Sequence, residues 1–154
     1  MIGWLTFVTN SATESLGGRV SWIKPPSTAA KTYTNGFTSE SWMVGSTYVA
    51  ATTNRVVTFS NGVVQFTGGG LTSSSLVYNV GLTMANKVVH TNGARFTMSI
   101  TTANGLFSGG FTPPGTNVGL TFRGALLQQR DVGSGFFLNK KVSGKVELGP
   151  APVP

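Results

Sequence analysis

Apolar and polar residues alternate along this chain with a period of two, and almost nowhere with the period of a helix. Leu76, Tyr78, Val80, Leu82 and Met84 alternate with Val77, Asn79, Gly81 and Thr83. Phe96, Met98 and Ile100 alternate with Thr97, Ser99 and Thr101, and Leu120, Phe122, Gly124 and Leu126 with Thr121, Arg123 and Ala125. Successive side chains of a strand point to opposite faces, so each run offers one face to a core and one to water, as antiparallel strands do. The pattern predicts about 12 short strands. They fall near 4–9, 18–24, 31–38, 42–50, 55–60, 62–67, 75–84, 86–91, 94–102, 105–112, 118–128, 134–139 and 142–148, with one or two merging.

The breaks between runs carry turn chemistry. Asn61-Gly62, Asn92-Gly93 and Asn104-Gly105 lie between runs, and both residue types tolerate the positive φ of a type I′ hairpin turn. Pro25-Pro26 and Pro113-Pro114 end strands, because proline has no N–H to give a ladder. Gly68-Gly69-Gly70 reads as a loop between strands, since no helix N-terminus or Lys follows to make a phosphate loop.

Two segments align without a gap at an offset of 88: Gly17 with Gly105, Pro25-Pro26 with Pro113-Pro114, Thr28 with Thr116, Gly36 with Gly124, and Val44-Gly45-Ser46 with Val132-Gly133-Ser134. Tyr48 falls against Phe136. Gly and Pro fix backbone geometry, so their recurrence predicts a repeated unit. The expectation is an all-β antiparallel barrel or sandwich with an internal pseudo-twofold duplication. Its copies span about 4–60 and 94–148, with linking strands over 62–91. Closure would remove exposed strand edges.

Length and composition narrow the picture. At 154 residues the chain suits a single domain, expected over 1–149 with a proline-rich tail at 150–154. Hydrophobic residues make up 40% of it, enough for a core, while charged residues make up 10%, against roughly 25% in typical soluble domains. There is no cysteine and one histidine, which excludes disulfides, thiolate chemistry and a multi-histidine metal site. No apolar run reaches the ~18 residues of a transmembrane helix. The strands' Thr/Ser faces argue against a lipid-facing barrel, so the chain is not expected to span a membrane. The formal net charge of +7 is dispersed, with only Lys140-Lys141 and Lys145 clustered, so no specific nucleic-acid partner is expected. Met1-Ile2-Gly3-Trp4 lacks the basic and apolar regions of a signal peptide. With the proline-rich end, it suggests a module of a longer protein.

The stretches Thr102–Phe111, Phe122–Gln129, Gly133–Leu138 and Ser143–Val146, with Gly18–Trp22 and Gly45–Tyr48 upstream, resemble an uncharacterised β-rich domain. That domain recurs near the C-terminal end of large exported bacterial proteins. The resemblance implies a fold and an extracellular or cell-surface location, and it brings no catalytic residues with it.

Candidate chemistry is sparse. The carboxylates are Glu14, Glu40, Asp131 and Glu147, and a glycosidase would need two of them facing across a cleft. Only Glu40 and Asp131, in different copies, are placed to approach, and only if the pseudo-twofold axis passes near them. His90 has no Gly-x-Ser-x-Gly elbow or orienting acid. Neither a metal nor another cofactor is expected. The aromatics carry the remaining signal: Trp22 and Trp42 stand where the second copy has Gly110 and Arg130. Side-chain parity turns Trp22 away from the face that Phe107 and Phe111 share in the second copy, whereas Trp42 shares the parity of Val44 and Tyr48, a core face. Trp22, Trp42 and Tyr33 are the candidate ligand-binding residues, since an outward aromatic stacks on a sugar or fills a protein contact. The expected function is a non-enzymatic structural, adhesive or assembly module of an exported bacterial surface protein. Its partner would be a protein or glycan at the cell surface, or other copies in an oligomer. The alternative is a carbohydrate-binding module.

Overall fold

A computed structural model describes residues 1–9, 11–90, 95–140 and 142–152. Eleven strands follow one another: β1 (Ile2–Phe7), β2 (Leu16–Lys24), β3 (Phe37–Gly45), β4 (Asn61–Gly68), β5 (Ser75–Leu82), β6 (Val88–His90), β7 (Phe96–Thr101), β8 (Leu106–Phe111), β9 (Leu120–Leu127), β10 (Val132–Asn139) and β11 (Val142–Pro150). A single 3-10 turn, Gln128–Arg130, is the one helical piece among the described residues.

All strand pairs are antiparallel. Eight strands form one sheet in the order β6-β5-β4-β11-β10-β9-β8-β7, and β1-β2-β3 form a second, small sheet. The eight-stranded sheet curls until its two ends meet. Tyr78 of β5 stacks on Phe96 of β7 at 4.5 Å, and His90 of β6 stands edge-on to Phe96 at 5.7 Å. The result is a nearly closed barrel, the barrel of the two architectures the pattern allowed.

The period-two pattern explains the interior. Phe66, Phe96, Phe107, Phe111, Phe122 and Phe137 all point inward and are almost wholly buried, together with Val64, Val146 and Leu148. Each buried Phe contributes about 1.5–3 kcal/mol of transfer free energy. Glycines on the same inner face make room for the rings. A Cβ at Gly124 would lie 2.1 Å from Phe107 Cζ, and one at Gly144 would lie 2.2 Å from Phe137 Cε1.

Residues 46–60 close one end of this barrel. Val56 and Val57 are buried in the core cluster, with Tyr48 and Phe59 packed against it. The Tyr48 hydroxyl donates to the Thr102 carbonyl at 2.6 Å. Buried Asn86 holds the segment by side chain: its Oδ1 accepts the Val56 N–H at 2.7 Å and its amide donates to the Asn54 carbonyl at 3.1 Å. The strand expected over 55–60 is therefore absent, because its apolar residues insert as a plug instead of pairing.

Other boundaries differ for identifiable reasons. The runs at 31–38 and 42–50 give one strand, β3. Tyr33 and Gly36 ahead of it have positive φ, 52° and 71°, and a Cβ at Gly36 would lie 2.4 Å from the Lys24 carbonyl. Asn61-Gly62 opens β4 rather than turning, with the Phe59 ring 2.6 Å from where a Gly62 Cβ would sit. Asn104-Gly105 does turn, Gly105 taking φ 71°, but within a four-residue loop between β7 and β8. Asn92-Gly93 lies outside the described residues. Pro150 still belongs to β11 opposite Gly62, so the tail begins later than expected.

At an offset of 88, β2 coincides with β8, and a Pro-Pro pair follows each closely. Beyond that corner the copies part. β9 falls mainly on the loop before β3, and β10 overlaps only the last two residues of β3 and otherwise falls on residues after it. The copies also lie in different sheets, so they do not form the two like halves around a shared interior that the repeat predicted. The physical reason is visible at two positions. Where β8 offers Phe107 and Phe111 to the core, β2 has Arg19 and Ile23, and a charged residue cannot line that interior.

Candidate functional site

Four consecutive residues at the end of β9 tie the small sheet and the barrel plug to the barrel. Gln128 Oε1 accepts the Val49 N–H at 2.7 Å, and its Nε2 donates to the carbonyls of Val49 and Val56 at 3.1 and 3.0 Å. Gln129 Oε1 accepts the Ser15 hydroxyl at 2.7 Å and the Thr47 N–H at 3.1 Å, and its Nε2 donates to the Ser11 carbonyl at 2.8 Å. Arg130 donates through Nε to the Thr13 carbonyl at 3.1 Å and pairs with Glu14 at 2.5 Å. Asp131, left-handed at φ 55°, accepts the Thr58 N–H at 2.7 Å and the Thr58 hydroxyl. Sequence reasoning missed this latch. The visible signal was a polar Gln-Gln-Arg-Asp run directly after an apolar strand.

The small sheet held this way is exposed. The chain has three tryptophans, and each lies on a different strand of this sheet. Trp4 is 90% exposed, Trp42 62% and Trp22 56%. Trp42 is thus a surface residue and not the core residue its parity suggested, because β3 never enters the barrel. Trp4, overlooked in the sequence, is the most exposed of the three. The register places Trp4, Arg19 and Trp42 in one cross-strand row, while Trp22 pairs with Ser39 on the opposite face. Arg19 also pairs with Glu40 at 3.3 Å across the surface.

Two open crevices lie between the small sheet and the outer face of the barrel. One, of about 770 Å³, has Trp42 and Val44 facing Gln65, Ser134 and Lys145. The other, also about 770 Å³, has Trp22, Tyr33 and Phe37 facing Phe136 and Leu138. Phe37 sits edge-on to both Trp22 and Tyr33, at 5.7 and 5.1 Å. The Tyr33 hydroxyl accepts the Ser143 N–H at 3.0 Å and lies 2.5 Å from the Ser143 hydroxyl. Lys24 Nζ donates to the Tyr33 carbonyl at 2.9 Å. Tyr33 is therefore a strut between the sheets, with its polar end engaged. Trp22 and Phe37 present the free aromatic surface, joined from the barrel by Phe136, 55% exposed.

The carboxylates are not brought together. Glu40 and Glu14 pair with Arg19 and Arg130, Glu147 pairs with Lys145 at 2.7 Å, and Asp131 caps Thr58. His90 lies exposed at the end of β6. Among the described residues no three of His, Cys, Asp and Glu cluster as a metal site would require, and no helix is long and apolar enough to cross a membrane. Comparison with known proteins returned no matching family model, no matching curated protein and no matching solved structure.

Proposed function

We propose that this chain is a non-enzymatic assembly module of an exported bacterial surface protein, in which the barrel is a rigid frame and the small sheet makes contact. The observation that carries this reading is the placement of every tryptophan on exposed strands outside a well-packed barrel. Large aromatics left exposed to water cost free energy, and covering them is a strong driving force for association. The resemblance to a domain of exported proteins supplies the proposed location. The engagement of each carboxylate in a structural contact is consistent with a contact role. The test is light scattering over a concentration series. Mass is expected to rise with concentration for the wild type, to be unaffected by added sugars, and to stay monomeric when Trp4, Trp22 and Trp42 are all replaced by Ser. A hydrolase activity toward glycosides or esters that survives purification and is lost in Glu40→Gln would overturn the reading.

One observation favours a second reading, a carbohydrate-binding module. Trp22 and Phe37 border an open crevice beside Lys24 and Thr32, and an aromatic face with nearby hydrogen-bonding groups suits a sugar ring. Retention on an insoluble cell-wall polysaccharide that disappears in Trp22→Ala would establish it.

A further inference from the structure

β1 is an edge strand with nothing on its outer side among the described residues. Val8 N–H donates to the Ser15 carbonyl at 2.9 Å, continuing the β1–β2 ladder by one residue. Backbone groups of an antiparallel strand alternate between its two neighbours. Thr6, Trp4 and Ile2 therefore turn their N–H and C=O toward β2, and Gly3, Leu5 and Phe7 turn theirs outward.

That outer edge has none of the features that keep strand edges apart. Natural edges are blunted by charges, proline, bulges or a cover. From Ile2 to Val8 the chain has no charged residue and no proline, and Ile2, Trp4, Leu5 and Phe7 are all exposed. The opposite edge of the same sheet, β3, differs: it carries Glu40 and borders the barrel. The whole chain exposes 9673 Å². A folded monomer of its mass is expected to expose about 7,400 Å². The excess, about 2,300 Å², belongs to the molecule as a whole, with the exposed small sheet contributing to it, and it exceeds the ~800 Å² that each partner hides in a standard interface.

We infer that β1 pairs antiparallel with β1 of a second copy of this chain about a twofold axis, joining the two small sheets into one continuous sheet. The inference rests on the small sheet being the contact surface and names what it contacts. A twofold axis perpendicular to the sheet pairs residues whose numbers sum to an even value. Centring the pairing on Leu5 sets Leu5 against Leu5 and Phe7 against Gly3 of the other copy. In that register all three outward-facing residues of each strand exchange hydrogen bonds. Each Phe7 ring also covers the bare Gly3 backbone opposite. A strand without charge brings no like-charge repulsion to the seam, despite the net charge of +7 on each chain.

The test is sedimentation velocity on the whole chain with two edge variants. Leu5→Pro removes an outward-pointing N–H that β2 does not use, which edge strands tolerate, and Leu5→Lys adds a charge at the axis. The expected result is a wild-type species of twice 16.1 kDa at tens of micromolar. Both variants should sediment as monomers, at least tenfold weaker in self-association, with unchanged circular dichroism. A dimer that persists in both variants overturns the inference. A monomeric wild type that still takes up a partner in a Trp22-dependent way overturns self-pairing and leaves the contact-surface reading standing. A monomeric wild type with no partner overturns both.

Discussion

Phe66 lies with its ring centroid 4.0 Å from Phe111, 5.1 Å from Phe122, 5.8 Å from Phe137, 6.0 Å from Tyr78 and 6.4 Å from Phe96. Rings from five other strands thus meet on one side chain of β4. Truncation there forfeits both transfer free energy and ring contacts, so Phe66→Ala is expected to cost about 3–5 kcal/mol in urea unfolding. The opposite change is also unfavourable. Gly124→Ala would drive a methyl into the Phe107 ring and to 2.5 Å from the Ser134 carbonyl oxygen, and is expected to cost at least about 1–3 kcal/mol. Two phenols give the core a pH dependence. Burial raises the pKa of Tyr78 above the usual 10.0; burial also raises that of Tyr48, against an opposing hydrogen bond with the Gly105 backbone. Both folded values lie above the unfolded one, so their contribution to stability is complete below pH 10 and is lost as pH rises through the raised values. Urea midpoints followed from about pH 9 to about pH 12 should fall on the alkaline side, and Tyr78→Phe should flatten that fall. The inward facing of Tyr78, Phe96, Phe111 and Phe122 was legible in the sequence, because a period of two puts them on one face of their strands, whereas the adjacent Phe136 and Phe137 give no such sign of which one turns inward. The outward exposure of Trp42 was not, because parity assigns a face but cannot say whether anything covers it.

The latch at 128–131 decides how the elements are held together. Its two amides serve backbone groups of segments far away in sequence, and losing them leaves those groups without partners. Gln128→Ala is expected to cost about 1–3 kcal/mol and to accelerate amide exchange at Val49. Arg130→Ala should cost no more than about 1 kcal/mol, because its pairing with Glu14 is partly open to solvent, with side-chain exposures of 39% and 24%. A pair of that kind should also weaken with added salt. Strands β4, β5 and β7 to β11 each lie close to an alternating run, since strand pairing follows that alternation directly. The plug over 46–60 lay beyond reach of the pattern. Val56 and Val57 are as apolar as strand residues, and only the open end of a barrel gives them somewhere else to go.

On the scale of the molecule, the barrel and the small sheet are held by different forces. The buried core cluster draws on β4, β5 and β7 to β11 and on the plug, and on no residue of β1 to β3. The small sheet is joined to the barrel by the polar latch, by Tyr33 and by the crevice walls. Native-state hydrogen exchange should therefore show β1 and β2 opening at a free energy about 2 kcal/mol or more below that of β4, β10 and β11. Pairing through β1 would narrow that gap at high protein concentration, since association stabilises the form that binds. The sequence by itself determined that this chain is all β, which residues of β5, β7, β8 and β9 point inward, and where prolines stop strands. Those follow from local sterics and from a periodicity that each short run carries alone. The tertiary structure decided that eight strands close on themselves while three stand outside, and that the strands of one copy of a repeat line the core while those of the other do not. That outcome depends on which surfaces are left for a strand once the rest have packed, a property of the whole chain that no single segment contains.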